Sequence, residues 1–358
     1  MKNHRIIHVC QNYNVNLFIK LFENIGNSSK YNQVVFYPYI GKGKFSYSSK
    51  YKVIAKKSVP NLFRHFFLFR GFFNAYIIIN SVSINKNDII HCHTLFNDGL
   101  VGLILKFIYG CKVVVSIRNS DLLIYQYKFW LRPYLFFFKK YVNSFISLSP
   151  TLQENFKFLS SEVIGNGIKS ESIIKVPREI SGFKKVKLLY IGRIIKRKNL
   201  DKVINLYLSN TDKYSLTIIG DAYPKTKWST SLLKKIELLD LDYYQNLSHS
   251  EINNQLDLAD IFILPASNET FGIVYLESLC RAMPIIYKKG TGVDGLFSSP
   301  VGFGVENESV KELEVGIEYI LNNYNQLSSN CLSEVVNHTW SNVPNNILAI
   351  YNKLSLDV

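Results

Sequence analysis

Residues 265–284 read PASNETFGIVYLESLCRAMP, and this stretch decides the fold. The residues before it, 261–264, read IFIL, a short continuous apolar run that is typical of a buried strand in a parallel sheet. Residues 273–282 then carry apolar side chains at helical spacing. The sequence therefore predicts a strand, a loop that contains glycine, and a helix.

The loop in this stretch is a candidate anion site. At a helix N-terminus, free backbone N–H groups and the positive end of the helix dipole point the same way. We therefore expect the amides of Phe271, Gly272 and Ile273 to hold a diphosphate or a sugar oxygen.

Two glutamates flank that anion site. Glu269 lies in the loop and Glu277 about two turns along the helix. Carboxylates accept hydrogen bonds, and neighbouring sugar hydroxyls donate them in pairs. Without further context, such a pair is more often a partner of the helix dipole and a solvated helix residue.

Further motifs supply that context. They read NGI at 166–168, LLYIGR at 188–193 followed by Lys198, and LTIIGD at 216–221. Together with the Glu-x7-Glu spacing of Glu269 and Glu277, they resemble retaining glycosyltransferases of family 4, the glycosyl transferases group 1. The resemblance covers nearly the whole chain and is strongest over residues 187–284.

The resemblance implies an α/β protein of GT-B fold, with two Rossmann-like, doubly wound parallel-sheet domains facing a central cleft. An acceptor-binding domain would span 1–170, a linker 171–185 and a nucleotide-sugar-binding domain 186–340, and a C-terminal helix in 341–358 would cross back to the first domain. The residue pattern agrees, because short β-rich runs alternate with helical segments in both halves.

The resemblance also implies roles for residues of the second half. Arg193 and Lys198 would neutralise the leaving nucleoside diphosphate, and Glu269 would bind a donor-sugar hydroxyl. Donor-binding positions would be Gly192, Gly220, Phe271, Gly272, Ile273 and Glu277. Preorganised cations stabilise charge that develops on a phosphate, so we expect neither a metal nor another cofactor. The Asp-x-Asp pattern at residues 240–242 is interpreted as chance.

In the first half, the resemblance places His93, Arg118 and Asp121 on the acceptor side or in the cleft. Family members commonly carry His-Gly-x-Asp where this chain has Arg118, a fixed cation that cannot shuttle a proton near neutral pH. Residues 11–16 also lack the family's Gly-Gly loop. His91 and His93 share one strand face, but Cys92 points the other way, so a zinc site lacks ligands.

Positive charge is concentrated in the first half. The net charge is +15, yet residues 1–170 alone hold 22 Lys and Arg against 6 Asp and Glu. Segments 61–73 and 127–140 mix basic and aromatic residues, as helices at an anionic membrane do. Buried aromatic helices with snorkelling basic ends are the alternative. Nucleic acid is less favoured, because no motif for it accompanies the charge.

Other features bear on the cellular location. The longest uncharged apolar run, 71–85, is too short and too polar to span a bilayer. The five cysteines are scattered without a CxxC motif, which favours reduced thiols in the cytoplasm, and no signal-peptide core follows the first residues. We expect a cytoplasmic protein, peripheral on the inner face of the cell membrane.

The resemblance, taken with these observations, implies a metal-independent hexosyltransferase that acts with retention, as the family does. It would move a sugar from a UDP- or GDP-linked donor to a lipid-linked glycan of an O-antigen, capsule or exopolysaccharide. Two alternatives stay open: a nucleotide-sugar epimerase of GT-B architecture, and a non-catalytic module that binds sugar nucleotides or membranes. The basic first half disfavours the epimerase, which needs no membrane.

Overall fold

A computed structural model describes residues 5–29, 31–41, 48, 50–60, 63, 66–179 and 185–356. The chain forms two compact units. Unit 1 comprises Met1–Gly167 and Trp340–Val358, and unit 2 comprises Ile168–Thr339. Parts of two predicted segments, residues 61–62 and 64–65 of the first aromatic segment and 180–184 of the linker, lie outside the described residues.

Unit 1 is built on a seven-stranded parallel sheet in the order β3-β2-β1-β4-β5-β6-β7. Its strands are β1 (Arg5–Val9), β2 (Asn32–Tyr39), β3 (Lys52–Lys57), β4 (Ile89–Cys92), β5 (Lys112–Ile117), β6 (Ser144–Ser147) and β7 (Ser161–Val163). Its helices are α1 (Asn16–Ser28), α2 (Phe67–Ile79), α3 (Asn97–Tyr109), α4 (Asn119–Tyr127), α5 (Arg132–Tyr141), α6 (Pro150–Asn155) and, from the chain end, α13 (Val343–Leu356).

The two faces of this sheet bury separate cores, because successive strand residues point to opposite faces. Ile7, Val9 and Ile90 belong to a core that includes buried residues of α2, α3 and α5. Ile6 and Ile89 belong to a second core, which α1 and α13 complete. The C-terminal helix is thus part of unit 1.

Unit 2 has a six-stranded parallel sheet in the order β10-β9-β8-β11-β12-β13. Its strands are β8 (Val186–Ile191), β9 (Tyr214–Ile219), β10 (Asp242–Tyr244), β11 (Ile261–Leu264), β12 (Ile285–Lys288) and β13 (Gly302–Val305). Its helices are α7 (Leu200–Ser209), α8 (Lys227–Ile236), α9 (His249–Leu258), α10 (Ile273–Leu279), α11 (Val310–Asn322) and α12 (Tyr324–Val335).

Strand order in unit 2 creates a topological switch point. From β8 the chain moves outward to β9 and β10, then crosses back so that β11 pairs with the other side of β8. The loops after β8 and β11 therefore leave two neighbouring strands in opposite directions at the carboxyl edge. Open α/β sheets bind ligands at such a point.

The predicted fold class, two Rossmann-like parallel-sheet domains, is confirmed. The prediction from residue patterns did not include β3, β7 and β13, and all three are edge strands. An edge strand is paired on one side only and needs no continuous apolar run, and β3 carries three of the lysines that protect such edges. The predicted helix 273–282 ends at Leu279, because Ala282 has φ +52° and Pro284 follows. All five cysteines are buried free thiols.

Candidate functional site

The loops after β8 and β11 are joined by an ion pair between Lys198 Nζ and Glu269 Oε2. The two side chains are only 11% and 13% exposed, so water screens the pair little. The other carboxylate oxygen of Glu269 accepts the Thr270 amide at 3.1 Å. Two predicted catalytic residues, 71 positions apart in sequence, thus meet at the switch point.

Asn199 holds these two loops together. It ends the short 3₁₀ turn Lys196–Lys198 with φ +54°, and its side-chain amide donates to Pro265 O and Ser267 Oγ, each at 2.8 Å. Arg197 adds a bond from its guanidinium to Asn268 O at 2.8 Å and accepts the Ser267 amide on its carbonyl. The sequence analysis missed this link, because partners so distant in sequence give no local pattern.

Gly192 and Gly220 form a second contact at the same edge. Gly220 has φ +153°, and a Cβ there would lie 2.0 Å from Gly192 O. The Gly192 amide donates to Ile219 O at 2.9 Å, which holds the two turns together. The two turns are therefore packed backbone against backbone, and only glycine is accommodated at position 220.

Gly272 is the residue before α10 and has φ +69°. A Cβ there would lie 2.8 Å from the Tyr275 ring and 3.2 Å from Glu269 Cγ. Gly292, which the sequence analysis missed, also lies beside this carboxylate: its amide donates to Glu269 O at 2.7 Å, and a Cβ would lie 3.3 Å from Glu269 Cγ. The loop after β12 therefore helps to fix Glu269.

The remaining predicted donor-side residues differ in how exposed they are. Arg193 is exposed in the same loop as Lys198, Phe271 is buried, and Ile273 is exposed. Glu277 is half-buried on α10. The structure thus brings Lys198, Glu269 and Gly272 together, and it pairs Gly192 with Gly220 at the same edge of the sheet.

The three predicted acceptor-side residues form one cluster in unit 1. Arg118 Nε donates to His93 O at 3.0 Å, and the Arg118 amide donates to Asp121 Oδ2 at 2.9 Å. The Arg118 guanidinium lies 4.4 Å above the Phe18 ring, a cation–π contact. Asp121 is fully buried and also accepts the Phe96 amide, so this carboxylate links the start of α4 to the loop between β4 and α3. Burial raises the pKa of Asp121 to about 6.

His93 belongs to a buried histidine network that the sequence did not reveal. The Gln33 side-chain amide donates to Phe22 O, so its oxygen accepts from His8 Nε2 at 3.0 Å. His8 Nδ1 must then accept from His93 Nε2 at 3.1 Å. This chain of bonds leaves His93 Nδ1 as a bare lone pair, and it has no hydrogen-bond partner among the described residues.

His91 completes a trio with His8 and His93. Ligand atoms of these histidines lie within 4.8 Å of one another, the one such group that the described residues contain. His8 on β1 thus adds a third potential ligand atom that the sequence analysis did not find. Both nitrogens of His91 already have partners, Ser116 Oγ at 2.8 Å and Tyr351 OH. Burial lowers the pKa of His8 to about 4 and those of the other two well below normal.

Asp98, in the first turn of α3, is a further buried acid that the sequence analysis missed. Its Oδ2 has no hydrogen-bond partner among the described residues, and its amide donates to Thr94 Oγ1 at 3.0 Å. Burial raises the pKa of Asp98 to about 7, although the nearby Arg70 acts in the opposite direction. The carboxyl ends of the unit 1 strands thus hold several buried polar groups.

The switch-point site can be compared with known proteins. Residues 174–332 match the family model described as "Glycosyl transferases group 1". The match supports this family. The matched residues include Lys198, Glu269 and the glycine loops of unit 2, so the ion pair described above lies within the match.

Similar proteins include glycosyltransferases. An uncharacterized glycosyltransferase of Methanocaldococcus jannaschii is 25% identical over 334 residues, 86% of this chain and 87% of that protein. The O-antigen biosynthesis glycosyltransferase WclY of Escherichia coli is 26% identical over 226 residues, 57% of this chain and 61% of that one. The crystal structure of Anabaena HepE in complex with UDP and glucose superposes with a TM-score of 0.72, covering 98% and 99% of the two chains. At 15% identity, this likeness concerns the fold alone.

Proposed function

We propose that this chain is a group 1 glycosyltransferase and a retaining enzyme of family 4. It transfers a hexose from a UDP- or GDP-linked donor to a lipid-linked glycan in surface polysaccharide biosynthesis. The observation that carries the proposal is the poorly hydrated Lys198–Glu269 pair at the switch point of unit 2. The WclY similarity supports the pathway class, and the HepE likeness in fold supports a nucleotide-linked donor.

The ion pair is suited to a substrate that carries both an anion and hydroxyl groups. Without a donor, Lys198 and Glu269 neutralise each other away from water, where an unpaired charge would be costly. A nucleotide sugar supplies a phosphate for the cation and a sugar hydroxyl for the carboxylate. Binding thus replaces one favourable contact with two, and both side chains are already in place.

Departure of the nucleoside diphosphate leaves negative charge on its β-phosphate. Lys198 and the exposed Arg193 stabilise that charge as it develops, and the shielding of Lys198 from water strengthens its contribution. Amides of Phe271, Gly272 and Ile273 contact the donor, Glu277 accepts from the ribose hydroxyls, and Gly192, which has no side chain, lets the phosphates approach the backbone.

Two cations in the loop after β8 take the place of a divalent metal in this proposal. The Asp-x-Asp pattern does not lie with them. Asp242 begins β10, so Asp240 and Asp242 lie at the amino edge of the sheet, whereas Gly192 and Gly220 follow the carboxyl ends of β8 and β9. A metal held by these aspartates would be at the wrong edge to touch the diphosphate.

The acceptor and the location follow from unit 1. Among the described helices, none combines the length and the apolar character needed to cross a bilayer. The charge of residues 1–170 favours a peripheral site on an anionic inner leaflet, where lipid-linked glycans are built. An epimerase or a binding module would not require turnover onto such an acceptor.

A nucleotide-sugar panel tests the proposal. We expect one UDP- or GDP-hexose to raise the melting temperature and to be turned over slowly to free nucleotide, without added metal and in the presence of EDTA. Glu269→Gln should lower turnover at least 100-fold. Glu306→Gln is the matched control, because it breaks an exposed Lys–Glu pair of the same unit and should leave turnover unchanged. Unchanged turnover in Glu269→Gln would reject the assignment.

A further inference from the structure

Exposed aromatic side chains are concentrated on three helices of unit 1. Helix α2 is almost wholly apolar, and it buries Ala75 and Ile78 against the sheet. Its opposite side exposes Phe69, Phe72 and Tyr76, which recur at helical spacing and are 49%, 59% and 66% exposed. A water-facing stripe of this kind is not required for packing, so it indicates a surface that meets another apolar phase.

The two neighbouring helices extend the stripe. Helix α3 contacts both α2 and α5. Phe107, near the end of α3, is exposed and packs edge-on against Tyr141 of α5, with ring centroids 4.7 Å apart. Helix α5 exposes Phe136 and Phe137 while it buries Leu135 and Phe138. We call the outer side of these three helices the α2–α3–α5 face.

Cations accompany the aromatic rings, and exposed acids do not. Lys139 and Lys140 are exposed in the last turn of α5, and Arg132 is exposed at its start. The only acids in the sequences of α2 to α5 are Asp98 and Asp121, and both are buried. The α2–α3–α5 face therefore presents positive charge and aromatic rings with no exposed carboxylate on its helices.

We propose that the α2–α3–α5 face docks on an anionic lipid bilayer. Its phenylalanine and tyrosine rings would enter the headgroup layer, and its lysines would bind lipid phosphates. Charge complementarity selects this occupant: a bilayer offers an apolar layer directly beneath a continuous sheet of negative charge. The purpose of this docking, access to a lipid-linked acceptor, rests on the proposed function. The evidence for the docking is the charge and the aromatic residues of the α2–α3–α5 face.

Charge reversal tests the docking. The full-length protein should co-sediment with vesicles of phosphatidylglycerol and phosphatidylcholine, and 0.5 M salt should weaken that binding at least tenfold. The double variant Lys139→Glu and Lys140→Glu should bind at least tenfold more weakly. The control, Lys234→Glu with Lys235→Glu, reverses the same Lys-Lys pair in the last turn of α8 in unit 2 and should bind like wild type. An equal loss of vesicle binding in both double variants, or no vesicle binding by the wild-type protein, would overturn the proposal.

Aromatic replacement tests insertion separately from charge. Phe72→Ser with Phe136→Ser should weaken vesicle binding about tenfold even at low salt, whereas Leu238→Ser with Tyr319→Ser, at exposed positions of unit 2, should not. If the face instead covers a second copy of this chain, light scattering will show an oligomer that these serines dissociate, and the bilayer proposal fails.

Donor turnover in the absence of vesicles separates this proposal from the enzymatic one. The docking variants should retain wild-type turnover of the nucleotide sugar to free nucleotide, because their substitutions lie in unit 1, outside the donor loops. Turnover without vesicle binding rejects the docking alone. Vesicle binding without turnover of any donor rejects the proposed function alone.

Discussion

The two units share a fold class but differ in where they keep polar and apolar groups. Unit 1 exposes phenylalanine and tryptophan on its helices and buries His8, His93 and Asp98 near its strands. In unit 2, among the described residues, no phenylalanine or tryptophan is exposed, and a charged pair lies at the strand ends. The same sheet architecture thus carries exposed aromatic rings in one case and a poorly hydrated ion pair in the other.

The difference shows how a parallel sheet separates stability from function. In both units the apolar strands form the core, while the loops at the carboxyl edge are free to vary. Unit 2 has closely packed glycine turns there and a pair of opposite charges. Unit 1 fills the corresponding positions with hydrogen-bonded histidines and carboxylates. Three variants can break or sharpen this contrast.

The largest effect is expected for Gly220→Ala in unit 2. The new Cβ would meet Gly192 O at 2.0 Å, and φ +153° is unfavourable for alanine, so the two turns must separate. We expect a loss of about 4 kcal/mol in the free energy of unfolding, together with loss of nucleotide binding. Chemical denaturation and calorimetric titration with UDP and GDP measure the two effects.

Gly290→Ala is the control for this substitution. Gly290 also has a positive φ, +70°, but a Cβ there has nothing within 4 Å. Its cost should be only about 1 kcal/mol, from the left-handed backbone alone. Similar losses at the two glycines would contradict the importance of the close approach between the loops.

The next effect concerns the Lys198–Glu269 pair. Glu269→Gln leaves Lys198 poorly hydrated and unpaired, so we expect a loss of about 3 kcal/mol in unfolding free energy. The double variant Lys198→Met with Glu269→Gln also removes the unpaired positive charge, and it should recover about 2 kcal/mol of that loss. A double-mutant cycle by urea denaturation measures this coupling. The exposed Lys289–Glu306 pair should couple by less than about 1 kcal/mol, and equal coupling would argue against a desolvated site.

A smaller, pH-dependent effect is expected in unit 1. The pKa of Asp98 is about 7 when folded and near 3.9 when unfolded, so the folded chain binds more protons between these values. Stability contributed by the neutral carboxyl is therefore lost as the pH rises. Relative to wild type, Asp98→Asn should gain about 2.5 kcal/mol between pH 4.5 and 6.5. Denaturation curves at several pH values measure this gain, and a constant difference would mean that Asp98 does not titrate in this range.

Sequence patterns predicted the central strands and both sheet types, because buried strands need continuous apolar runs and these are visible locally. They failed at the edge strands β3, β7 and β13, where one side of the strand is unpaired. They also proposed Lys198 and Glu269 through a family motif, yet could not show that these side chains touch. Asn199 and Gly292, which hold that contact, belong to no motif.

The sequence by itself determined the alternation of strands and helices, the concentration of positive charge in the first 170 residues, and the residue types available for chemistry. Those properties follow from composition and short-range periodicity. Only the tertiary structure decided which groups meet: Lys198 with Glu269, Gly192 with Gly220, and His8 with His93 across 85 positions. Such contacts arise where parallel strands bring loops that are distant in sequence to one edge of a sheet. No local sequence pattern specifies the order of the strands.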